Sequence, residues 1–196
     1  RLFPKLKIYA RARNRQHAHN LIALGVEHVV RETYASSLEA AAIALEELAR
    51  VGATTFVRIG TCGSLQEQVR IGDVAIFDSA ARYDGASRLY APIEFPAVAD
   101  HGVVAAGIQA AHGQGVTHHV GATFSTDVFY TPQEGMAFGG YHQSWAREVY
   151  EDARRQNILA AEMESSVLMV LTRIWGLRGG AMAVVADDVF ASVDET

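Results

Sequence analysis

A short run of β-branched and aromatic residues that ends between two glycines places the strongest constraint on the fold. Residues 54–59 read Thr-Thr-Phe-Val-Arg-Ile, and Gly60 and Gly63 follow. Such a run predicts a buried strand that ends in a tight turn. Because ligands bind beyond the carboxyl ends of strands in open α/β sheets, Arg58, Thr61 and the free glycine amides predict an anion site. The alternative is that the glycines only turn the chain and that Arg58 pairs with a carboxylate.

Strand-like and helix-like segments alternate along the first sixty residues. They are strands at residues 6–9 and 28–30, helices at residues 16–24 and 37–50, and then the strand that contains Phe56. This alternation implies right-handed crossovers between parallel strands. The sequence therefore predicts one α/β domain over residues 1–196, a three-layer sandwich with a mainly parallel, doubly wound (Rossmann-like) sheet. Its strands lie near Leu6, His28, Phe56 and Val184, with helices on both faces.

The rest of the chain continues with helices, strands and two irregular segments. In order they are strands within residues 73–83, a long loop at 84–96, a helix at 99–112, a strand at 116–123, an irregular segment at 125–143, helices at 145–155 and 164–175, and a last buried strand at 179–186. The loop at 84–96 holds two prolines and a glycine, a composition typical of lid loops. Both irregular segments are candidates for functional loops.

The composition favours a small-molecule partner. The chain has 196 residues, 49% of them hydrophobic and 20% charged, and a formal net charge of −5 without a long Lys/Arg run. This balance argues against a nucleic acid or an anionic membrane as partner. Cys62 is the only cysteine, which favours a reducing compartment. With no signal peptide and no apolar run of about 18 residues, a soluble cytoplasmic protein is expected.

The histidines and the cysteine do not form a recognisable metal or nucleophile motif. The pairs His17/His19 and His118/His119 lack the spacing that places two imidazoles beside a cysteine or a carboxylate, so no metal site is predicted. Cys62 adjoins the glycine turn, where nearby amides lower a thiol pKa, but no partner histidine can be identified. It is either a packed small residue, the favoured interpretation, or a nucleophile.

Two acidic residues, Glu162 and Glu164, lie at the start of a predicted helix. One interpretation is that they compensate the helix dipole at its N-terminus. The other is that they bind the paired hydroxyls of a sugar, since hydrogen bonds from hydroxyls to a charged acceptor are strong. Sugar binding is preferred because the acids directly follow an apolar run, residues 158–161, that leads to a strand end.

Several motifs resemble those of the nucleoside phosphorylase family, and within it of uridine phosphorylases, over about residues 41–187. They are residues 43–48 (Ile-Ala-Leu-Glu-Glu-Leu), 58–64 (Arg-Ile-Gly-Thr-Cys-Gly-Ser), 84–87 (Asp-Gly-Ala-Ser), 92–100 (Pro-Ile-Glu-Phe-Pro-Ala-Val-Ala-Asp), 127–130 (Asp-Val-Phe-Tyr) and 162–165 (Glu-Met-Glu-Ser). The resemblance implies a pentosyltransferase that performs phosphorolysis, in which phosphate attacks the anomeric carbon of a nucleoside and the base leaves. It implies inorganic phosphate as co-substrate, no other cofactor, and a dimer whose pockets are completed across the interface.

The resemblance also implies roles for individual residues. It assigns phosphate binding to Arg58, Gly60 and Thr61; ribose binding to Met163, Glu164 and Thr61; base binding to Phe129, Gln133, Cys62 and Gly63; and catalysis to Arg58, Glu164 and Asp187. The family usually places an arginine two positions after the base-binding glutamine, but this chain has Gly135. Asp187 falls where related purine phosphorylases keep an acid that protonates the leaving base. Pyrimidine and purine nucleosides therefore both remain candidates.

Residues 1–40 resemble a different family. Residues 3–15 and 25–33 are similar to the second half of the cytosolic nucleotide-binding domain of glutathione-gated potassium efflux antiporters, although no G-x-G-x-x-G motif occurs. The two resemblances together predict a chimera joined within residues 37–50. The glycine loop and arginines with which phosphorylases hold phosphate have no counterpart in this segment, so impaired turnover is expected. A non-catalytic engineered chimera and a nucleotide-sensing module are the alternatives.

Overall fold

The computed structural model of the chain describes residues 9–12, 28–31, 35–128 and 143–190, and its side chains from Ala42 onward. Its elements are β1 (Tyr9–Ala12), β2 (His28–Arg31), α1 (Ala35–Arg50), β3 (Thr55–Ser64), β4 (Val74–Tyr83), a 3-10 turn (Ser87–Leu89), β5 (Ala97–Val98), α2 (His101–Gln114), β6 (His118–Thr126), α3 (Ala146–Arg155), β7 (Ala160–Glu162), α4 (Ser165–Ile174) and β8 (Arg178–Asp188). The helix predicted at residues 16–24 lies outside the described residues.

Among the described residues, the main sheet has six strands, is mixed rather than parallel, and closes on itself. Its strand order is β5-β4-β6-β7-β3-β8, and β4 also pairs with β8. β3 runs parallel to β8, and β4, β6 and β7 run parallel to one another. The two groups meet in antiparallel pairs, β4 with β8 and β7 with β3. The strands therefore form a barrel-like ring inside an α/β fold.

The prediction of a mainly parallel, doubly wound sheet does not describe this ring. Only residues 65–73 connect β3 to β4. A parallel crossover needs a dozen or more residues, usually including a helix, so this connection reverses the chain direction. The reversal allows β4 to pair antiparallel with β8. Strands were predicted within residues 73–83, and the structure has one strand there, β4.

The first two strands pair only with each other in the described part of the chain. β1 and β2 form a parallel, two-stranded sheet in which Tyr9 is opposite His28. Parallel pairing of successive strands is what a strand-helix-strand unit produces. Of the strand that the sequence places near Leu6, the described residues are Tyr9–Ala12.

Helices pack closely on both faces of β8 because two adjacent residues of this strand are glycines. A Cβ on Gly179 would lie 2.1 Å from Thr172 Oγ1 of α4, and a Cβ on Gly180 would lie 2.5 Å from Val103 Cγ1 of α2. Because successive residues of a strand face opposite sides of the sheet, α4 and α2 pack on opposite faces. The predicted helices on both faces are thus present at β8.

The core is centred on α4. Val167, Met169, Val170 and Leu171 are fully buried, and they pack with residues of β3, β4 and β8. A helix that is apolar on all sides must be enclosed by other elements.

Among the described helices, none is long and apolar enough to cross a membrane.

The two faces of β3 differ in exposure. Phe56 and Cys62 are each 6% exposed on one face, whereas Val57 and Ile59 are 46% and 78% exposed on the other. The apolar run had predicted burial on both faces, and only one is buried. By the two-residue period of a strand, Arg58 is on the same face as Phe56 and Cys62, directed toward the start of α4.

Candidate functional site

A guanidinium and two carboxylates meet at the start of α4. Arg58 Nε donates to Glu164 Oε2 at 3.0 Å, and Nη2 of the same guanidinium also donates to that oxygen. Glu162 Oε2 lies 3.6 Å from Arg58 Nε. The side chains of Arg58 and Glu164 are each 16% exposed, and that of Glu162 is 1% exposed. An ion-pair cluster at this depth is shielded from solvent but still reachable through Arg58 and Glu164.

Glu162 is held by the first amides of α4. Its Oε2 accepts hydrogen bonds from the backbone N–H groups of Glu164 at 2.8 Å and Ser165 at 2.9 Å. Its Oε1 accepts a hydrogen bond from the Ser125 hydroxyl. A carboxylate at a helix N-terminus satisfies amides that have no partner within the helix. The helix-start interpretation therefore describes Glu162, whereas the side chain of Glu164 is directed to Arg58.

The Arg58 side chain lies over Gly60. A Cβ at residue 60 would be 2.8 Å from Arg58 Nη1 and 2.9 Å from its Cζ, too close for an alanine to fit without displacement. Burial disfavours the charged guanidinium, but the attraction of Glu162 and Glu164 outweighs it and holds the pKa of Arg58 above its ordinary value. Arg58 is therefore a fixed cation whose position depends on the glycine beneath it.

Cys62 contacts the same cluster as a neutral thiol. Burial, together with the charge of Glu162, raises its pKa to about 12, although Arg58 acts in the opposite direction. Its Sγ lies 3.8 Å from the Val184 carbonyl oxygen. A thiol with this pKa is protonated at neutral pH and is a poor nucleophile. The geometry favours the packed-residue interpretation.

Other predicted site residues are less closely associated with the cluster. Thr61 is exposed, and the alternation of β3 directs its side chain to the face opposite Arg58. Met163 is half-buried, between the two glutamates in sequence. Asp187 is exposed and pairs in register with Gly63, where β3 and β8 end side by side. Phe129 and Gln133, the predicted base-binding residues, lie outside the described residues.

A surface pocket of about 450 Å³ lies elsewhere, beside β4 and the loop that leads to β5. Its lining includes Arg82, Tyr83, Arg88 and Ile93. The predicted site residues that the structure describes are not among the residues that line it. Within the described part of the chain, this pocket and the charged cluster are therefore separate features, and the convergence of charged groups on Arg58 is the more specific indication of a site.

Sequence reasoning missed a buried polar layer behind the carboxylates. Asp84, Ser87, Ser125, Ser165 and Ser166 are all completely buried. Serines of this kind carry no periodic signal, and Asp84 belongs to the loop motif Asp-Gly-Ala-Ser, from which no separate role for it is predicted. The available signal was the spacing of Asp84 and Ser87, since an Asp three residues before a Ser is an arrangement in which the carboxylate accepts the later backbone amide.

The three charged groups define what the cluster can bind. Glu162 and Glu164 each contribute a negative charge and Arg58 a positive one, so the trio carries a net negative charge. Hydroxyl donors, such as the diol of a sugar, suit the oxygens of Glu164. An anion requires Arg58 and further cations to offset the two carboxylates.

Comparison with known proteins agrees with this chemistry. The family model described as "Phosphorylase superfamily" matches residues 22–196. Because this match covers most of the chain, the protein belongs to the phosphorylase superfamily. The match begins within the segment that resembles an antiporter domain, which the comparison does not support as a separate unit.

Curated relatives cover the same part of the chain. The uridine phosphorylase of Thermococcus kodakarensis is 44% identical over 144 residues, which are 74% of this chain and 52% of that protein. The uridine phosphorylase of Escherichia coli K12 is 42% identical, over 72% of this chain and 56% of its own length. The guanosine phosphorylase of Halorubrum lacusprofundi is 38% identical, over 77% and 57%. The chain thus spans about half the length of the curated relatives it matches.

Proposed function

We propose that this chain is a nucleoside-binding phosphorylase domain that holds the ribose with Glu164 and positions phosphate with Arg58, and whose turnover is impaired. The observation that carries the proposal is the Arg58–Glu164 pair, with Arg58 Nε 3.0 Å from Glu164 Oε2. Both residues belong to motifs that resemble the family's. Inorganic phosphate is the proposed co-substrate, without another cofactor or a metal.

The ribose half of the proposal rests on hydroxyl chemistry. In phosphorolysis the sugar develops positive charge as the base leaves, so the ribose hydroxyls must be held fixed relative to the attacking phosphate. Glu164 Oε2 already accepts two N–H donors from Arg58, and a diol donates to the same kind of acceptor. A bound ribose would therefore compete with, or lie beside, the Arg58 guanidinium.

The proposed impairment follows from how phosphate would bind at Arg58. A phosphate dianion that approaches Arg58 meets the carboxylates of Glu162, 3.6 Å from Arg58 Nε, and Glu164. Additional cations are needed to overcome that repulsion. The family resemblance implies a glycine loop and arginines that this chain does not match. Losing one preorganised donor costs about 10²–10³ in rate, and a displacement of about 1 Å costs roughly a further 10².

The decisive experiment measures release of free base. Uridine and inosine are incubated with saturating phosphate, and free uracil or hypoxanthine is quantified by chromatography, with nucleoside binding measured by calorimetry. We expect detectable nucleoside binding with turnover at least about 10²-fold below that of a full-length relative. Glu164→Gln removes the proposed ribose acceptor, and Glu67→Gln, at an exposed position, is the matched control.

The outcomes separate the two halves of the proposal. Absence of nucleoside binding, or equal binding by wild type and Glu164→Gln, contradicts the assignment of the ribose site. Phosphate-dependent release at the rate of a full-length relative contradicts the impairment alone. Greater release from inosine than from uridine assigns a purine substrate, and Asp187→Asn then tests whether Asp187 protonates the leaving base.

Self-association and cytoplasmic location are part of the proposal. In the family that the chain resembles, pockets are completed across a dimer interface. The exposed Val57 and Ile59 on β3 leave apolar area that a partner or another segment can cover. Light scattering that reports a monomer at assay concentrations counts against the dimer.

A second candidate concerns residues 1–40, which resemble an antiporter nucleotide-binding domain within a single chimeric domain. Parallel pairing of β1 with β2 supports this candidate, because successive strands pair in parallel in nucleotide-binding folds. Calorimetric titration with NADH and AMP tests nucleotide sensing. Binding of either nucleotide without nucleoside binding favours this candidate; binding of neither nucleotides nor nucleosides favours a non-catalytic chimera.

A further inference from the structure

Three buried polar residues lie in one row that starts at Glu162 of the Arg58 cluster and leads away from Arg58. Strand register places Arg82 of β4 beside Ser125 of β6, and Ser125 beside Glu162 of β7. Counted over the whole residue, backbone included, they are 6%, 0% and 4% exposed. Buried polar groups are costly unless hydrogen bonds satisfy them, so a row of this kind must be part of a connected network.

The network reaches the first turn of α4 through Ser166. The Ser125 hydroxyl donates to Glu162 Oε1 and accepts the backbone N–H of Ser166 at 3.1 Å. The Ser166 hydroxyl in turn donates to Asp84 Oδ1. Ser166 therefore joins the start of α4 to the end of β6 with its amide, and to the loop after β4 with its side chain.

Asp84 is itself held in place by neighbouring groups. Its Oδ2 accepts the backbone N–H of Ser87 at 2.6 Å, and its Oδ1 accepts the Ser87 hydroxyl at 3.0 Å. The same Ser87 hydroxyl accepts Arg82 Nε at 3.0 Å. Arg82 also donates to the carbonyl oxygens of Ala91 at 2.9 Å and Pro92 at 2.6 Å. The buried charges of Arg82 and Asp84 are thus linked through Ser87, and the loop is tied to the sheet.

We infer that Asp84 and Ser166 are positioning residues, whose contact fixes the first turn of α4 so that Glu164 faces Arg58. The connection is a chain of hydrogen bonds. The Ser166 hydroxyl donates to Asp84, the Ser166 amide donates to the Ser125 hydroxyl, that hydroxyl donates to Glu162, and Glu162 accepts the amides of Glu164 and Ser165. The consequence for ribose affinity rests on the proposed function, whereas the ordering of the turn does not.

The adjacent serine provides a matched control. Ser165 and Ser166 are both completely buried in the first turn of α4. Ser165 Oγ has no hydrogen-bond partner among the described residues. Alanine at either position therefore removes one buried hydroxyl, but only Ser166→Ala removes the hydrogen bond to Asp84.

The first measurement needs no ligand. Amide hydrogen exchange of the unliganded wild type, Ser165→Ala and Ser166→Ala is compared at Glu164 and Ser165. We expect exchange about tenfold faster in Ser166→Ala and nearly unchanged in Ser165→Ala, since one hydrogen bond to a carboxylate accounts for about that ratio. Equal exchange in the two variants overturns the inference. Ser166→Cys, nearly equal in volume, replaces Ser166→Ala if that variant does not fold.

The second measurement connects the turn to the ligand. The dissociation constant for uridine is expected to rise about tenfold in Ser166→Ala and to stay near the wild-type value in Ser165→Ala. Faster exchange with unchanged uridine affinity overturns the connection to the site. If the wild type does not bind uridine, the proposed function fails, and the exchange comparison still decides whether Asp84 and Ser166 order the turn.

Discussion

Arg58 and Glu164 are 106 residues apart in sequence, yet Arg58 Nε lies 3.0 Å from Glu164 Oε2. β3 carries the arginine on its buried face, and the segment between β7 and α4 carries the glutamate. Glu162 lies beside the same guanidinium. Removing Arg58 or Glu164 therefore changes the net charge of all three groups together. The pair is therefore the most informative place to perturb the protein.

Removing the Arg58 guanidinium should destabilise the protein more than removing one partner of an exposed ion pair. Arg58→Gln leaves Glu162 and Glu164 as neighbouring carboxylates without the guanidinium, and we expect a loss of about 3 kcal/mol in the free energy of unfolding. Urea unfolding followed by circular dichroism measures it. Arg50→Gln is the control, since Arg50 is 69% exposed and pairs with Glu46 and Glu47 on the surface of α1. That change should cost less than about 1 kcal/mol, and equal losses would contradict the prediction.

Local pattern was enough to predict most elements but not their arrangement. The strand and helix patterns of β3, α4 and β8 are strong, and each element is present near its predicted place. The ring, however, depends on β4 pairing antiparallel with β8, far along the chain. The residues of the two strands do not specify which strand each pairs with, and the one signal for the reversal is the short connection at residues 65–73. The alternation of elements in the first sixty residues suggested a parallel sheet instead.

Site prediction succeeded or failed for similar reasons. The glycine turn beside Arg58 is compatible with an anion ligand and with the partner of a carboxylate, and the structure shows the carboxylate partner. The distant Glu164 was connected to it only through family resemblance. The network of Asp84, Ser125 and Ser166 was missed because it consists of common residues brought together by tertiary contacts.

Gly60 should be essential for the position of Arg58. In Gly60→Ala the new methyl would lie 2.8 Å from Arg58 Nη1, so the guanidinium must move away. We expect a loss of about 1–3 kcal/mol in stability and weaker nucleoside binding. Gly113→Ala is the matched control, because a Cβ there meets nothing within 4 Å in helix α2. It should stabilise the protein by up to about 1 kcal/mol, and similar effects of both changes would show the packing argument to be wrong.

Gly179 should be required for α4 to pack on β8. A Cβ at this position would lie 2.1 Å from Thr172 Oγ1, in a helix whose apolar residues form the core. Gly179→Ala is expected to lower the thermal midpoint, with a stability loss of about 2–3 kcal/mol. The double variant Gly179→Ala/Thr172→Ala removes the closest clashing atom and should recover part of the loss. Strict additivity of the two single changes would contradict a direct contact.

Because of Cys62, the free energy of unfolding should fall as pH rises above the value at which an unfolded cysteine ionises. Its folded-state pKa is raised to about 12 by burial and by Glu162, whereas an unfolded cysteine ionises near pH 8.5. Below about pH 8.5 the thiol is protonated in both states, so its contribution is fully present and independent of pH. As pH rises toward 12, the unfolded chain loses the proton first, and the free energy of unfolding falls by up to about 1.4 kcal/mol per pH unit from this group. Cys62→Ala lacks the effect, so its stability difference from wild type in urea should shrink between about pH 7.5 and pH 10. A constant difference, or rapid alkylation of folded Cys62 by iodoacetamide near pH 8, would contradict a buried neutral thiol.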